Sequence, residues 1–259
     1  MGGIQIAYEA RGAGPAVVFL HAFPLGQFMW DREAEALAGQ HRVVRFDARG
    51  FGSTPPGGGP LTMDRIADDA AALMDHLEIE TAVVAGCSMG GYAAFAFVRR
   101  HPGRLAGLVL QDTRPGADTA EARASRATLA SRVLEEGAQA AADAFVPKLV
   151  GETTQGENYE LVAHLHERIL ATSPVGIAQA LHGLGTRADS RETLADIEVP
   201  TLVVVGEEDV LTPPAEAESM AGAIAHSRLE VIPRAGHLSN LENPTAYHDV
   251  LGRFLDSTR

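Results

Sequence analysis

The chain has 259 residues, with 21 basic and 34 acidic side chains and a formal net charge of -13. A folded monomer of this size exposes roughly 11,000 Å² against about 40,000 Å² unfolded, so one sizeable core can form without disulfide or metal staples. The negative balance excludes phosphate backbones and anionic lipid surfaces as partners. The lone cysteine, Cys87, excludes an internal disulfide and a cysteine-based zinc cluster.

The chain opens without a charged segment leading into an apolar run, and no apolar run reaches bilayer length, so a cytoplasmic protein is expected. An antiparallel edge is expected to start at residues 4–7. Apolar runs follow at 16–20, 42–46, 82–85, 105–110, 202–205 and 229–232. Most lack polar alternation, which predicts strands covered on both faces. Helical spacing lies between them, as at 66–77 and 92–100. Alternation of this kind predicts an α/β fold with a mostly parallel sheet flanked by helices.

The alternation breaks between about 114 and 196. Apolar residues recur there at helical intervals: Leu129 and Val133, Phe145 and Leu149, Val162, Leu165 and Ile169. Ser173-Pro174 and 183–185 read as breaks between helices. Such an insert leaves the carboxyl edge of the sheet, where ligands bind, so a lid is expected. A packed extension with no role in binding is the alternative.

The strongest chemical signal is Gly86-Cys87-Ser88-Met89-Gly90, followed by Gly91, between a strand and a helix. A strand turning at once into a helix strains its central residue and demands small neighbours two positions away. Ser88 would then stand exposed at a helix N-terminus, where the dipole favours a developing oxyanion. An ordinary glycine-rich turn is the plain alternative. Cys87 is not the residue bracketed symmetrically by glycines, and reads as a small hydrophobe.

A serine needs a base. His237, in the loop Pro233-Arg234-Ala235-Gly236-His237 after the 229–232 strand, is the best placed of ten histidines. The others read as structural or surface residues, with no metal-ligand spacing among them. The base needs an orienting carboxylate. Asp209, in Gly206-Glu207-Glu208-Asp209 after the 202–205 strand, is the choice, with Asp112 as its rival. The order Ser88, Asp209, His237 is that of the α/β-hydrolases. Two backbone donors complete an oxyanion hole: the N–H of Met89 and that of Phe23, in His21-Ala22-Phe23-Pro24. His21 reads as a support of that loop.

With Asp47-Ala48-Arg49-Gly50-Phe51-Gly52-Ser53 added, these segments make the chain resemble the α/β-hydrolase superfamily over nearly its whole length. It looks like the small microbial carboxylesterases that are similar to 3-oxoadipate enol-lactonases and cofactor-free haloperoxidases. The resemblance implies an eight-stranded core from 1–113 and 196–259, and a helical cap over 114–195. It also implies hydrolysis of short-chain carboxylic esters with no metal or organic cofactor. Ala22 stands where the pattern usually has glycine, and fits if its φ is negative. The enol-lactonases place tryptophan in the cap, whereas the single tryptophan here is Trp30. Lactone hydrolysis and perhydrolysis can run on the same residues, and a hydrolase-like receptor for a small ligand is the rival from another class. Trp30, Phe28, Met29, Phe145 and Tyr159 are candidates for pocket lining or for core.

Overall fold

The computed structural model describes residues 4–258. Their sheet has seven strands: β1 Tyr8–Arg11, β2 Ala16–Leu20, β3 Arg42–Phe46, β4 Ala82–Cys87, β5 Leu105–Gln111, β6 Thr201–Gly206 and β7 Ser227–Ile232. The spatial order is β1-β3-β2-β4-β5-β6-β7. Only β1 runs antiparallel, with Tyr8 opposite Phe46 and Arg11 opposite Val43. Every residue of β2, β4 and β6 is buried, as their unbroken apolar sequences require.

Two expectations are corrected here. Seven strands are present among the described residues where the resemblance implied eight. The antiparallel edge strand is present, but it starts at Tyr8 and not at 4–7. Three of its four residues are exposed, so an edge strand of polar composition carried no apolar signal. Glu9 on this strand pairs with Arg45 of β3.

Helices cover both faces. The first three are α1 Asp31–Leu37, α2 Met63–His76 and α3 Met89–Arg100. Thr62 starts α2 by accepting from the Arg65 N–H at 3.2 Å. Five helices fill the stretch between β5 and β6: α4 Ala120–Glu136, α5 Gln139–Leu149, α6 Glu152–Glu157, α7 Tyr159–Leu170 and α8 Pro174–Gly185. Ser173 and Pro174 divide α7 from α8, with Pro174 at the first turn, where its missing N–H costs nothing. The break read at 183–185 coincides with the end of α8: these residues form its last turn and Thr186 follows as its cap. Gly183 also lets α8 come close to the core: a Cβ there would stand 1.7 Å from the Leu61 carbonyl oxygen. After β6 come α9 Pro214–Ala223, α10 Ser239–Glu242 and α11 Pro244–Ser257.

The register aligns the carboxyl ends of the central strands. Leu20 faces Gly86, Cys87 faces Gln111, and Gln111 faces Val204. The loops that leave β2, β4, β5 and β6 therefore open on one edge, beneath the five-helix insert. Total accessible surface is 10861 Å², in line with the value of roughly 11,000 Å² expected from size alone.

Candidate active site

Ser88 stands at the junction of β4 and α3 with φ 53 and ψ -109, in the left-handed half of backbone space. A residue with a Cβ adopts this only when its surroundings hold it there. Its N–H donates to the Gln111 carbonyl at 3.0 Å, and its own carbonyl accepts from Thr113 Oγ1 at 2.9 Å. The turn also needs bare neighbours. A Cβ on Gly86 would lie 2.2 Å from the Gly90 oxygen, and one on Gly90 would lie 2.1 Å from the Leu20 oxygen.

Three of the residues selected from the sequence form one hydrogen-bonded line. Ser88 Oγ is 2.8 Å from His237 Nε2, and His237 Nδ1 is 2.8 Å from Asp209 Oδ2. A carboxylate can only accept, so Nδ1 carries the imidazole proton and Nε2 is left to accept from the serine hydroxyl. Asp209 is held from four sides. Its Oδ1 accepts from the N–H groups of Leu211 and Thr212 at 2.8 and 3.0 Å. Its Oδ2 accepts from Thr212 Oγ1 at 2.6 Å besides the imidazole. Thr212 was not selected from the sequence.

The electrostatics suit a proton acceptor. Burial disfavours the His237 imidazolium, but the Asp209 charge and hydrogen bond, with the charges of Asp112 and Glu242, outweigh it and raise its pKa. Burial likewise opposes the Asp209 carboxylate, yet His237 and the Thr212 donors bring its pKa below the ordinary value. Cys87 is fully buried, with Sγ 3.8 Å from the His237 carbonyl, and burial pushes its thiol far upward. It stays protonated and packs as a small apolar group.

Asp112, the rival acid, does not touch the imidazole. Its Oδ1 accepts from the Gly206 N–H at 2.8 Å, and its Oδ2 accepts from Ser239 Oγ at 2.7 Å and from Gln111 Nε2 at 3.1 Å. It ties the ends of β5 and β6 to the start of α10. Burial, reinforced by the Asp209 charge, raises its pKa.

Phe23 and Met89 line the same cavity as Ser88 and His237. Met89 is the first residue of α3, so its N–H belongs to the donors that a helix start leaves free. The Phe23 loop is braced by His21. The Ala48 N–H donates to His21 Nε2 at 3.0 Å, so Nδ1 carries the proton and donates to the Ala22 carbonyl, also at 3.0 Å. Burial lowers the His21 pKa, as suits a neutral bridging ring. Ala22 is absent from the residues with positive φ, so its methyl is accommodated without strain.

The cavity holds about 90 Å³, with apolar walls that include Phe145, Leu149, Leu184 and Leu211. Of the five aromatic and methionine candidates, only Phe145 reaches it. Trp30 and Met29 are wholly buried core, Phe28 lines a neighbouring depression, and Tyr159 is 71% exposed. The sequence reading missed Tyr92, Arg114 and Arg126, which the fold brings to the cavity from α3, the loop after β5, and α4. Their meeting depends on how the insert docks.

Glu242 was also missed. Its Oε1 accepts from the N–H groups of Gly236 and Leu238 at 2.9 and 3.1 Å, on either side of His237, and its Oε2 accepts from the Gly151 N–H at 2.7 Å. One carboxylate thus joins the histidine loop to the insert. Glu208 makes a second tie, accepting from the Thr153 N–H at 2.8 Å. Among the described residues no three His, Cys, Asp or Glu side chains gather as a metal set, and no helix is long and apolar enough to cross a membrane.

Comparison with known proteins fits this architecture. The alpha/beta hydrolase fold family matches residues 15–244. A malate-bound thermophilic esterase from Thermogutta terrifontis is 40% identical, with a TM-score of 0.97, covering 98% of this chain and 94% of its own. 3-Oxoadipate enol-lactonase 2 of Acinetobacter baylyi is 31% identical over 90% of this chain and 86% of its own length. A non-heme haloperoxidase of Rhodococcus erythropolis is 29% identical over 98% of this chain and 97% of its own length. The chain belongs to the α/β hydrolase family and is a hydrolase enzyme.

Proposed function

We propose that the chain is a serine carboxylesterase that hydrolyses short-chain carboxylic esters through an acyl-enzyme on Ser88. The observation that carries this reading is the unbroken line from Ser88 Oγ through His237 to Asp209, with both links at 2.8 Å. Ser88 Oγ attacks the ester carbonyl carbon while His237 Nε2 takes the hydroxyl proton. The carbonyl oxygen becomes an oxyanion, stabilised by the N–H groups of Met89 and Phe23 and by the start of α3. His237 then protonates the departing alkoxide and the alcohol leaves. Water, activated by the same imidazole, attacks the acyl carbon and releases the acid and free Ser88. Asp209 keeps the imidazole in the productive tautomer and balances its positive charge.

The insert, 114–195, acts as a cap over a core formed by 1–113 and 196–259. A cavity of about 90 Å³ closed by Phe145, Leu149 and Leu184 favours short chains. The test is a series of p-nitrophenyl esters from acetate to octanoate. Turnover with a burst of p-nitrophenol is expected for the short members, falling as the chain lengthens. No turnover of any member would contradict the reading.

Lactone hydrolysis is the second reading, favoured by similarity to an enol-lactonase over 90% of the chain. It uses the same steps with the leaving alcohol still tethered, and a lactone panel separates the two. A ligand receptor fits less well, because a receptor has no need of a serine hydroxyl held against an imidazole.

A further inference from the structure

We propose that the ester hydrolysed here carries a free carboxylate, which Arg114 and Arg126 receive inside the catalytic cavity. This rests on the hydrolase reading above and names the substrate class of the same site. The chain has a net charge of -13, yet the cavity beside Ser88 is lined by two arginines and by no aspartate or glutamate.

The charge accounting around these arginines is uneven. Asp118 is wholly buried and serves three guanidiniums. Arg187 gives Nη1 to the Asp118 Oδ1 at 2.6 Å and to the Leu184 carbonyl and Nη2 to the Gly116 carbonyl, and it lies over the Tyr92 ring, 4.3 Å away, with its buried Nε unpaired; unlike Arg114 and Arg126 it does not line the cavity. Arg126 takes Oδ2 through Nε at 2.5 Å, which leaves its two Nη groups for another acceptor. Arg114 comes no nearer to Asp118 than 3.6 Å, and its buried Nε has no hydrogen-bond partner. Burial opposes the Asp118 charge, but Arg126 and Arg187 hold its pKa below the ordinary value, so it supplies one full negative charge. Three guanidiniums share this one carboxylate, so the cluster beside the cavity keeps a net positive charge.

A guanidinium with free donors beside an apolar cavity is matched by an oxyanion, and carboxylate meets its planar fork with two parallel hydrogen bonds. A neutral ester leaves the donors unpaired. The small cavity limits the substrate to a short skeleton, such as a half-ester of a four- or five-carbon dicarboxylic acid. The carboxylate can sit on the acyl side or the alcohol side, since both share this recognition. The side chains of Arg114 and Arg126 are 32% and 20% exposed. Water therefore screens part of the attraction, and the effect expected of each arginine is about tenfold.

The test compares mono(p-nitrophenyl) glutarate, with the charge on the acyl side, and 4-acetoxybutyrate, with the charge on the alcohol side. Each is set against the isostere in which a carboxamide replaces the carboxylate. The wild-type enzyme is expected to prefer the anion by about tenfold or more in kcat/KM in at least one pair, with the preference eroding in 0.5 M salt. Arg114→Gln and Arg126→Gln are expected to lower that ratio by about tenfold each. Calorimetry with glutarate reads the anion site without turnover, and binding should weaken to a similar extent in both variants. Wild-type preference in neither pair, or glutarate binding that is absent or indifferent to both substitutions, would overturn the proposal. Failure to hydrolyse even the carboxamide esters would count against the esterase reading instead, while glutarate binding still judges the arginines.

Discussion

What each carboxylate touches favours Asp209 over Asp112 as the acid that orients His237. Asp209 meets His237 Nδ1 at 2.8 Å, whereas Asp112 spends its oxygens on Gly206, Gln111 and Ser239. Asp209→Asn is therefore expected to cut kcat by about 10⁴, the scale seen when a triad loses the group that selects its tautomer. Asp112→Asn should keep the rate within about tenfold and instead cost about 1–3 kcal/mol of stability by disturbing buried hydrogen bonds. Steady-state kinetics with denaturant unfolding of both variants checks this, and the reverse pattern would make Asp112 the acid. The pH profile follows from the raised His237 pKa. The imidazole must be neutral at Nε2 to accept the serine proton, so a proton held more tightly moves the rising limb of kcat/KM above the ordinary value of about 6.5. A limb at or below that value would contradict the charge balance described. At this scale much was legible, because Gly86, Ser88 and Gly90 carry their steric logic in sequence. The meeting of Ser88 with His237, 149 residues apart, was inferred from loop position, while Thr212 and the arginines were not selected.

Between elements, the histidine loop and the insert are linked by short polar ties. Glu242 receives three backbone N–H groups, two flanking His237 and one from Gly151 ahead of α6. Glu242→Gln turns one acceptor oxygen into an NH₂ group facing a donor. A cost of about 1–3 kcal/mol is expected, or a melting temperature lower by roughly 3–10 °C at this chain length. Thermal unfolding measures it, and an unchanged melting temperature would show that the tie carries no load. Helix periodicity revealed that the insert is helical, and Ser173-Pro174 marked a boundary. Contacts between elements left weaker traces. Gly183 was read only as part of a helix end, because a glycine needed for close approach looks the same in sequence as one needed to end a helix. The insert's role in lining the cavity with Leu149, Leu184 and Arg126 depends on its docking, which no local pattern encodes.

At the scale of the whole molecule, alternating apolar runs and helical segments were enough to read a parallel α/β sheet interrupted by a helical insert. The edge was less legible. β1 is short, polar and exposed, and its place is set by pairing with β3 across some thirty residues, so a search for buried runs looked four residues too early. The family match over residues 15–244 and the joint opening of five strand ends on one cavity support the account's central proposal, that Ser88 is the nucleophile. The most direct measurement is intact mass after treatment with an organophosphate, with the modified residue located by peptide mapping. The account predicts one adduct per chain, on Ser88, with loss of ester turnover in proportion and no adduct on Ser88→Ala. Labelling at another residue, or full turnover by the labelled enzyme, would contradict it.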